Sequence, residues 1–308
     1  MITIPAPDFD LPKTLDSGQV FHWEKIDKRF LGTIGDLPVF VEQNGNVLKV
    51  RDGRPQSLPQ AHGEPGALPG IVANYFALDH PLAEVCASFP NDPVLNAARN
   101  SCRGLRIIRQ PKWECLATFI CSSMKQVAHI RQISKALRER FGRRCEIDHH
   151  VTYTFPSARR LAESSKAELE RCPLGYRAKN LLATARLVSS GKADLEGWSA
   201  LSDVDLRKKL CELPGVGPKV ANCVMLFAYE RLRAFPIDVW IERVLTEQYF
   251  PRARRLNARQ VLEFCDAYFG KYAGYAQQYL FHHARVESKS KGKRTRLTGQ
   301  VVSSPRLG

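Results

Sequence analysis

A glycine-rich segment in the second half of the chain constrains the fold more than any other feature. The segment reads Leu213-Pro214-Gly215-Val216-Gly217-Pro218-Lys219-Val220-Ala221. Its two glycines permit positive φ and leave bare backbone for a ligand to approach, and Pro218 stands where a helix can begin without an N–H donor. Residues 203–211 have helical periodicity, so the segment predicts two helices joined by a tight hairpin. We expect Gly215, Val216 and Gly217 to hold a DNA backbone through outward-facing amides, with an ordinary connection between helices as the alternative.

Lys219 and Asp238 are the candidate catalytic residues. Lys219 lies in the first turn of the second hairpin helix, where the helix dipole disfavours a second positive charge. Its neighbours at i+4 and i+8, Cys223 and Phe227, make that helix face apolar, and both effects favour a neutral, nucleophilic amine. Asp238 precedes an amphipathic stretch and is a candidate N-cap, which does not exclude a second role for its carboxylate. A solvated lysine and a purely structural cap are the alternatives.

Five stretches, in order along most of the chain, resemble the helix-hairpin-helix glycosylases of base-excision repair, and most closely the 8-oxoguanine DNA glycosylases. Such agreement is more specific than any single motif. The stretches are Ser17-Gly18-Gln19-Val20-Phe21-His22-Trp23; Gln110-Pro111-Lys112-Trp113-Glu114-Cys115 with Phe119-Ile120-Cys121-Ser122-Ser123; Leu174-Gly175-Tyr176-Arg177-Ala178; the hairpin with Pro236-Ile237-Asp238-Val239; and Gly274-Tyr275-Ala276-Gln277 with Leu280-Phe281.

The resemblance implies a bifunctional DNA glycosylase that flips 8-oxoguanine out of duplex DNA, excises it and cleaves the abasic site. Lys219 would attack the anomeric carbon and form a Schiff base that permits β-elimination. Asp238 would stabilise positive charge on the sugar and help keep Lys219 neutral.

The resemblance also implies the residues of the base pocket. The carbonyl of Gly18 would accept the N7 hydrogen that distinguishes 8-oxoguanine from guanine, and Cys223, Gln277 and Phe281 would complete the pocket. Gln277 and Phe281 are spaced i, i+4, so one helix face can offer an amide and a stacking ring. The alternatives are a solvated amide at Gln277 and core packing at Phe281.

Four further residues are expected at the DNA. Tyr176 and Arg177 match the family's wedge and its contact to the opposite cytosine. Met124 and His129 stand where eukaryotic family members carry an asparagine and an arginine. Because Met124 lacks an amide and His129 lacks the arginine fork, we expect a weaker preference for opposite cytosine.

Two rival functions remain open at this point. One is a glycosylase of the same superfamily that acts on alkylated or mismatched bases, although monofunctional members lack the lysine found at position 219. The other is a non-catalytic DNA-binding protein that keeps the hairpin, which the joint presence of Lys219 and Asp238 disfavours.

Composition is consistent with a nucleic-acid partner. The 308-residue chain has a formal net charge of +15, which suits a polyanion such as nucleic acid. The resemblance implies that this partner is double-stranded DNA containing a damaged purine. Its nine cysteines include no C-x-x-C pair, so neither an iron–sulfur cluster nor another metal site nor any other cofactor is expected. No signal peptide or long apolar run is present, so we expect an intracellular monomer that acts on genomic DNA and binds no membrane.

Alternating apolar residues over 30–34, 39–41 and 47–50, with Asn44-Gly45 between two of these runs, predict antiparallel strands. Helical periodicity follows, and Asp148-His149-His150 is expected in a polar loop. The fold class is therefore α+β, with a small sheet domain at 1–85, a helical domain packed on it at 86–287, and a basic disordered tail at 288–308. The predicted helices span 113–122, 127–141, 157–171, 178–190, 203–211, 218–231, 239–249, 258–269 and 273–286.

Overall fold

The computed structural model has the predicted α+β architecture, with an antiparallel sheet near the N-terminus and a larger body of helices. Met124 and residues 301–308, for which the sequence makes predictions, lie outside the described residues. The structure describes residues 1–53, 67–123, 125–252 and 257–300.

The N-terminal sheet, within the described ranges, has five strands in the order β1-β5-β4-β3-β2, and each neighbouring pair is antiparallel. The strands are β1 Ile2–Pro5, β2 Glu24–Ile26, β3 Arg29–Ile34, β4 Leu37–Asn44 and β5 Val47–Asp52. β4 and β5 are joined at the predicted Asn44-Gly45 turn, where Gly45 has a φ of +57°. β3, β4 and β5 confirm the predicted strands, whereas the alternation did not predict β1 or β2.

Helices form most of the remaining described chain, and none of them is long and apolar enough to cross a membrane. Short 3₁₀ turns occupy Gly197–Ala200 and Gly270–Tyr272, and a π turn, Leu245–Tyr249, directly follows α12. The helices are α1 Leu11–Asp16, α2 Leu68–Tyr75, α3 Leu82–Ala87, α4 Pro93–Ser101, α5 Lys112–Ser122, α6 Val127–Phe141, α7 Ala158–Ala162, α8 Lys166–Glu170, α9 Arg177–Ser189, α10 Asp203–Cys211, α11 Pro218–Ala228, α12 Val239–Val244, α13 Ala258–Phe269 and α14 Ala273–Gln300.

Two large apolar cores hold these elements together. One lies between the sheet and α2, where Val41 and Val50 meet Leu68 and Val72. The other unites the helices around α11, in which every residue from 220 to 227 is buried. A helix that is apolar on all sides belongs inside a protein, so α11 forms the axis of the helical body. The predicted domain boundary at residue 85 stays a prediction.

A second, two-stranded sheet packs on the outer face of the first. Its strands, β6 Arg144–Ile147 and β7 His150–Tyr153, are antiparallel. Ile147 contacts Leu31 and Phe40 of the larger sheet. This hairpin therefore links the helical part of the chain to the sheet.

The turn of this hairpin agrees with the expected polar loop at Asp148 and His149, whereas the expectation is wrong for His150. Asp148 and His149 both have positive φ, 48° and 62°, which suits a two-residue hairpin turn, and His150 already belongs to β7. The Asp148 carboxylate accepts a hydrogen bond from Arg29 at 3.2 Å and forms an ion pair with Arg51, with an N···O distance of 2.8 Å. These ion pairs tie the turn to the sheet.

Several predicted elements differ in extent from the observed ones. The helix predicted over 218–231 ends at Ala228, and the one predicted over 239–249 is α-helical only as far as Val244. The single helix predicted over 157–171 is divided, because Ser165 starts α8 with a reciprocal capping box that includes Glu168. The predicted disordered tail begins at 288, but α14 continues as a helix to Gln300. Residues 287–300 contain no proline, and extending an existing helix costs far less free energy than nucleating one.

A buried hydrogen-bond network links the sheet to α5 and α6. The Arg138 guanidinium donates to the Glu114 carboxylate, to Thr33 Oγ1 on β3 at 2.9 Å and to the Tyr153 carbonyl at 2.9 Å. Burial raises the pKa of Glu114, while the Arg138 charge opposes that rise. The network thus places a buried Arg138–Glu114 ion pair where the sheet meets α5 and α6.

We expect Glu114→Ala to lower the free energy of unfolding by about 3–5 kcal/mol, because it leaves the Arg138 charge buried without its carboxylate. The measurement is urea denaturation followed by circular dichroism. Glu163→Ala is the matched control, since it breaks an exposed pair with Arg159 and should cost less than about 1 kcal/mol. Equal losses for the two variants would show that the buried pair does not stabilise the junction.

Candidate active site

The predicted hairpin joins α10 to α11, and its first glycine is required by both conformation and space. Gly215 has a φ of +83°, and a Cβ at this position would lie 2.8 Å from Cβ of Asn180 and 3.2 Å from the Ile120 side chain. Only glycine fits such a position. The turn therefore packs closely against α9 and α5.

The other two hairpin residues have different surroundings. Gly217 is exposed, and a Cβ built on it would meet no atom within 4 Å, so its backbone is accessible as predicted. Val216 is buried, and its amide donates to the Leu213 carbonyl at 3.1 Å. The expectation of an outward amide is therefore wrong for Val216, whose amide closes the turn instead.

Lys219 extends from the first turn of α11 toward the end of α5. Its Nζ lies 3.4 Å from Oγ of Ser122, the last residue of α5, and 5.1 Å from the centroid of the Phe119 ring. The Ser122 hydroxyl donates to the Phe119 carbonyl at 2.7 Å, so its oxygen is free to accept from the amine. Ser122 and the Phe119 ring thus position the predicted nucleophile.

Asp238 caps α12 and also lines the pocket that contains Lys219. Its Oδ1 accepts from the amides of Trp240 and Ile241, both at 3.0 Å, which is the geometry of an N-cap. Burial raises the pKa of the carboxyl, whereas the two amides and the Lys219 charge act to lower it. Because both described hydrogen bonds use Oδ1, Oδ2 remains for the pocket, and one carboxylate can serve both predicted roles.

A small pocket brings together all of the residues predicted for catalysis and base recognition. Its free volume is about 30 Å³, enough for a water or two and too little for a purine. The pocket is lined by Gly18, Phe119, Lys219, Cys223, Phe227, Pro236, Asp238, Gln277, Gln278 and Phe281.

The predicted base-recognition side chains are almost entirely enclosed. Gln277 is 4% exposed, and its Oε1 has no hydrogen-bond partner among the described residues. Burial raises the pKa of the Cys223 thiol to about 11, so this side chain is neutral near pH 7. Phe281 is partly buried on the same face of α14 as Gln277. An unsatisfied amide oxygen, a neutral thiol and an aromatic ring are suited to a planar polar ligand.

The residues on either side of Gly18 accept hydrogen bonds from buried glutamine side chains. Gln278 donates to the Ser17 carbonyl at 3.0 Å, and Gln110 donates to the Gln19 carbonyl at 2.7 Å. Gly18 itself has a φ of +85°, and a Cβ there would lie 3.0 Å from the Phe281 ring. A larger residue would therefore strain the backbone and collide with the pocket wall.

Tyr176 and Arg177 lie beside the end of α5. Tyr176 is 62% exposed, and the guanidinium carbon of Arg177 lies 4.3 Å from the centroid of its ring. Arg177 is 4% exposed; its Nε donates to the Ser123 carbonyl at 2.9 Å and its Nη1 to the Leu174 carbonyl at 3.2 Å. In this structure Arg177 holds the loop after α5. The predicted contact to cytosine therefore requires its guanidinium to give up hydrogen bonds to these carbonyls and to donate to the base instead.

The remaining predicted DNA contacts belong to the segment after α5. His129 is exposed in the first turn of α6, where it can meet DNA. Met124 lies outside the described residues. The opposite-base contacts of both residues stay predictions.

Several pocket residues were not among the predicted site residues. Phe119 and Phe227 stack with ring centroids 5.5 Å apart and an interplanar angle of 14°. Phe227 lies on the Lys219 face of α11, and Phe119 lies within a motif that the sequence singled out, so both carried a usable signal. Pro236 and Gln278 enter the pocket only through tertiary packing. Within the described ranges, no three His, Cys, Asp or Glu side chains are grouped as a metal site.

Comparison with known proteins agrees with this arrangement. Residues 1–116 match the description "8-oxoguanine DNA glycosylase, N-terminal domain", and residues 117–266 match "HhH-GPD superfamily base excision DNA repair protein". A probable N-glycosylase/DNA lyase of Methanothermobacter thermautotrophicus is 30% identical, with 92% of this chain and 95% of the relative aligned. The N-glycosylase/DNA lyase OGG1 of Arabidopsis thaliana is also 30% identical, over 89% of this chain and 77% of the relative.

A solved structure extends the comparison to three dimensions. The 8-oxoguanine glycosylase/lyase of Clostridium acetobutylicum, in complex with double-stranded DNA containing cytosine opposite 8-oxoguanine, superposes with a TM-score of 0.83. The two proteins are 27% identical, and the alignment covers 94% of this chain and 99% of the other. The chain therefore belongs to the 8-oxoguanine DNA glycosylase family of the HhH-GPD superfamily of base-excision DNA repair proteins.

Proposed function

We propose that the protein is a bifunctional DNA glycosylase that flips 8-oxoguanine out of duplex DNA, excises it and cleaves the strand at the abasic site. One observation carries the proposal: the amine of Lys219 and the carboxylate of Asp238 line the same pocket as the base-recognition residues. The family membership and the names of the relatives support the same activity.

Lys219 supplies the nucleophile. Its neutral amine attacks C1′ of the flipped nucleotide, the C1′–N9 bond breaks, and the base leaves with the bonding electrons and takes up a proton. The sugar ring then opens to an iminium ion on Lys219. In this opening the C1′–O4′ bond breaks and O4′ takes up a proton from water. Loss of a C2′ proton and departure of the 3′ phosphate then complete β-elimination and cleave the strand.

Asp238 stabilises the positive charge that develops on the sugar as the base departs. A carboxylate held in a water-poor pocket is more effective for this than one in bulk water, and its α12 cap bonds fix its direction. Because its Oδ2 is not used by the cap, it can face the sugar while Oδ1 stays bound to the helix.

The base is recognised by the other side of the pocket. The carbonyl of Gly18 accepts the N7 hydrogen of 8-oxoguanine, an atom that guanine lacks. Gln277 contacts the polar edge of the base, and Cys223 and Phe281 enclose its two faces. Since the pocket holds only about 30 Å³ without DNA, we expect Phe281 to move when a base enters.

DNA binding precedes this chemistry and depends on charge. The net charge of +15 draws the protein to a polyanion, the backbone at Gly217 meets phosphate, and Tyr176 fills the space that the flipped base leaves. Because one chain supplies the whole pocket, we propose that a monomer acts on genomic DNA within the cell. The chemistry uses an amine and a carboxylate and invokes no cofactor; the absence of an iron–sulfur cluster stays a prediction.

We expect Lys219→Gln to abolish borohydride trapping on a duplex with 8-oxoguanine opposite cytosine, because an amide cannot form the Schiff base. Its affinity for the same duplex should stay within a few-fold of the parent protein. The measurement is the yield of covalent complex on a denaturing gel, with affinity from fluorescence anisotropy.

Lys166→Gln is the matched control, since Lys166 is exposed on α8 and, among the described residues, forms an ion pair with Glu170. Lys166→Gln should give the same yield of borohydride-trapped covalent complex as the parent protein. Trapping by the Lys219→Gln protein would assign the nucleophile to another amine.

We expect Asp238→Asn to lower single-turnover excision by about 100- to 1,000-fold, because a neutral amide cannot offset charge on the sugar. Asparagine still caps a helix, so the melting temperature should change little. Asp10→Asn alters the N-cap of α1, away from the pocket, and should leave excision unchanged.

The pH dependence of kcat/KM provides a second readout for Asp238. Burial raises the pKa of this carboxyl, so the active carboxylate is lost on acidification at a pH above that of an ordinary aspartate. The contribution of this carboxyl to the acidic limb should be present in the parent protein and absent in Asp238→Asn, whereas the contribution of the amine nucleophile should remain. Near-normal excision by Asp238→Asn would reduce this residue to a helix cap.

A further inference from the structure

Arg285 continues the face of α14 that lines the pocket. Gln277, Phe281 and Arg285 are spaced i, i+4, i+8, so their side chains lie above one another on the helix. The guanidinium carbon of Arg285 lies 5.1 Å from the centroid of the Phe281 ring. A Cβ built on Gly18 would be 2.9 Å from Nη1 of Arg285 and 3.0 Å from the ring, so guanidinium and ring both border Gly18.

The guanidinium of Arg285 lacks the partners that other buried arginines have. Within the described part of the chain four arginines are buried, and Arg106, Arg138 and Arg177 all donate to carbonyl or carboxylate oxygens. Arg285 is 7% exposed, yet its Nη1 is buried with no hydrogen-bond partner. Its guanidinium therefore has unused donors beside the pocket.

The charge of Arg285 is also incompletely balanced. Asp16 and Asp238 are near enough to favour its charged form, and Arg131 opposes them. Neither carboxylate forms an ion pair with Arg285, and Asp16 is bound to Arg131 at 2.6 Å. The positive charge of Arg285 is therefore not neutralised by an ion pair with either carboxylate, so the guanidinium can bind another negative or strongly polar oxygen.

An unsatisfied buried donor is costly, and native proteins satisfy nearly all of them. Several buried side-chain atoms of the described residues lack a partner, among them Nε of Arg106 and of Arg138. Nη1 of Arg285 differs from these two because it borders Gly18, at the pocket that a base can enter only after Phe281 turns. The ring and Nη1 occupy the same neighbourhood beside Gly18. Turning of the ring therefore uncovers the unused donor at the moment when the nucleotide arrives.

We propose that Arg285 donates a hydrogen bond to an oxygen of the flipped nucleotide and is a specificity-determining residue of the site. The inference rests on the proposed function and adds a residue to it. The oxygen belongs either to a carbonyl of the oxidised base or to the phosphate of that nucleotide, and guanidinium donates well to both.

The test measures affinity in the Lys219→Gln background, which binds without turnover, using the full chain. Three duplexes are compared: 8-oxoguanine opposite cytosine, a tetrahydrofuran abasic analogue opposite cytosine, and an undamaged duplex. Adding Arg285→Met should weaken binding of the 8-oxoguanine duplex by about 10- to 100-fold, the effect of losing one charge-assisted hydrogen bond. Binding of the undamaged duplex, which presents no flipped nucleotide, should change by less than about threefold.

The abasic analogue distinguishes the two sources of the oxygen. If Arg285 binds a carbonyl of the base, Arg285→Met leaves affinity for the analogue unchanged. If it binds the phosphate, affinity for the analogue falls as much as for the 8-oxoguanine duplex. Arg285→Lys, which keeps the charge, should recover part of the lost affinity in either case.

Arg131→Met is the matched control for loss of positive charge, because Arg131 is a nearby arginine that is partly exposed and belongs to an ion pair. Arg131→Met should weaken binding of all three duplexes by the same factor. Arg285→Met should not lower the melting temperature, since it removes an unsatisfied donor. An equal loss on all three duplexes, unchanged affinity for the 8-oxoguanine duplex, or a marked loss of stability would overturn the assignment of Arg285.

The parent Lys219→Gln protein separates this inference from the proposed function. If the parent shows no preference for the 8-oxoguanine duplex over the undamaged one, the proposed function fails, and the role of Arg285 fails with it. If the parent prefers the lesion and Arg285→Met keeps that preference in full, only the role of Arg285 is wrong.

Discussion

The active site depends on a buried hydrogen-bond connection between α11 and the segment around Gly18. Gln110 forms two of these hydrogen bonds, both 2.7 Å long. Its side-chain Nε2 donates to the Gln19 carbonyl, and its backbone N–H donates to the Phe227 carbonyl near the end of α11. Lys219 lies in the first turn of the same helix. One buried helix therefore positions the nucleophile at its start and, through Gln110, the glycine on the opposite side of the pocket. Leaving any of these polar groups unsatisfied would cost more free energy than the bond contributes, so these bonds fix the position of the Gly18 segment relative to α11.

Local sequence patterns predicted those parts of the fold that local interactions determine. α6, α10 and α13 begin and end where helical periodicity indicates, and the Asn44-Gly45 turn joins two alternating strands. β1 was missed because it is short and pairs with the distant β5, for example Ile2 with Val50. The β6–β7 hairpin was missed because Asp148 and His149, rather than glycine, adopt the left-handed conformation in its turn. In both cases long-range packing decides the structure.

The residues of the active site likewise fall into those that sequence motifs predicted and those whose roles only the folded structure reveals. Lys219, Asp238 and Gly18 lie in motifs whose residue types are tied to a chemical role, and the fold brings them together. Val216 and Arg177 show the limit of motif reasoning, because a motif does not reveal that an amide or guanidinium is already bound within the protein. Arg285 lies outside the quoted motifs, and the motif that contains Ser122 does not show that its hydroxyl faces Lys219. Their roles follow only from which atoms face Lys219 and Gly18 in three dimensions.

The central claim is that the amine at the start of α11 forms the covalent bond to the DNA sugar. The most direct measurement is tandem mass spectrometry of peptides from the borohydride-reduced complex with an 8-oxoguanine duplex. We expect the sugar fragment to be attached to Lys219. A fragment attached to the N-terminal amine or to any other lysine would contradict it.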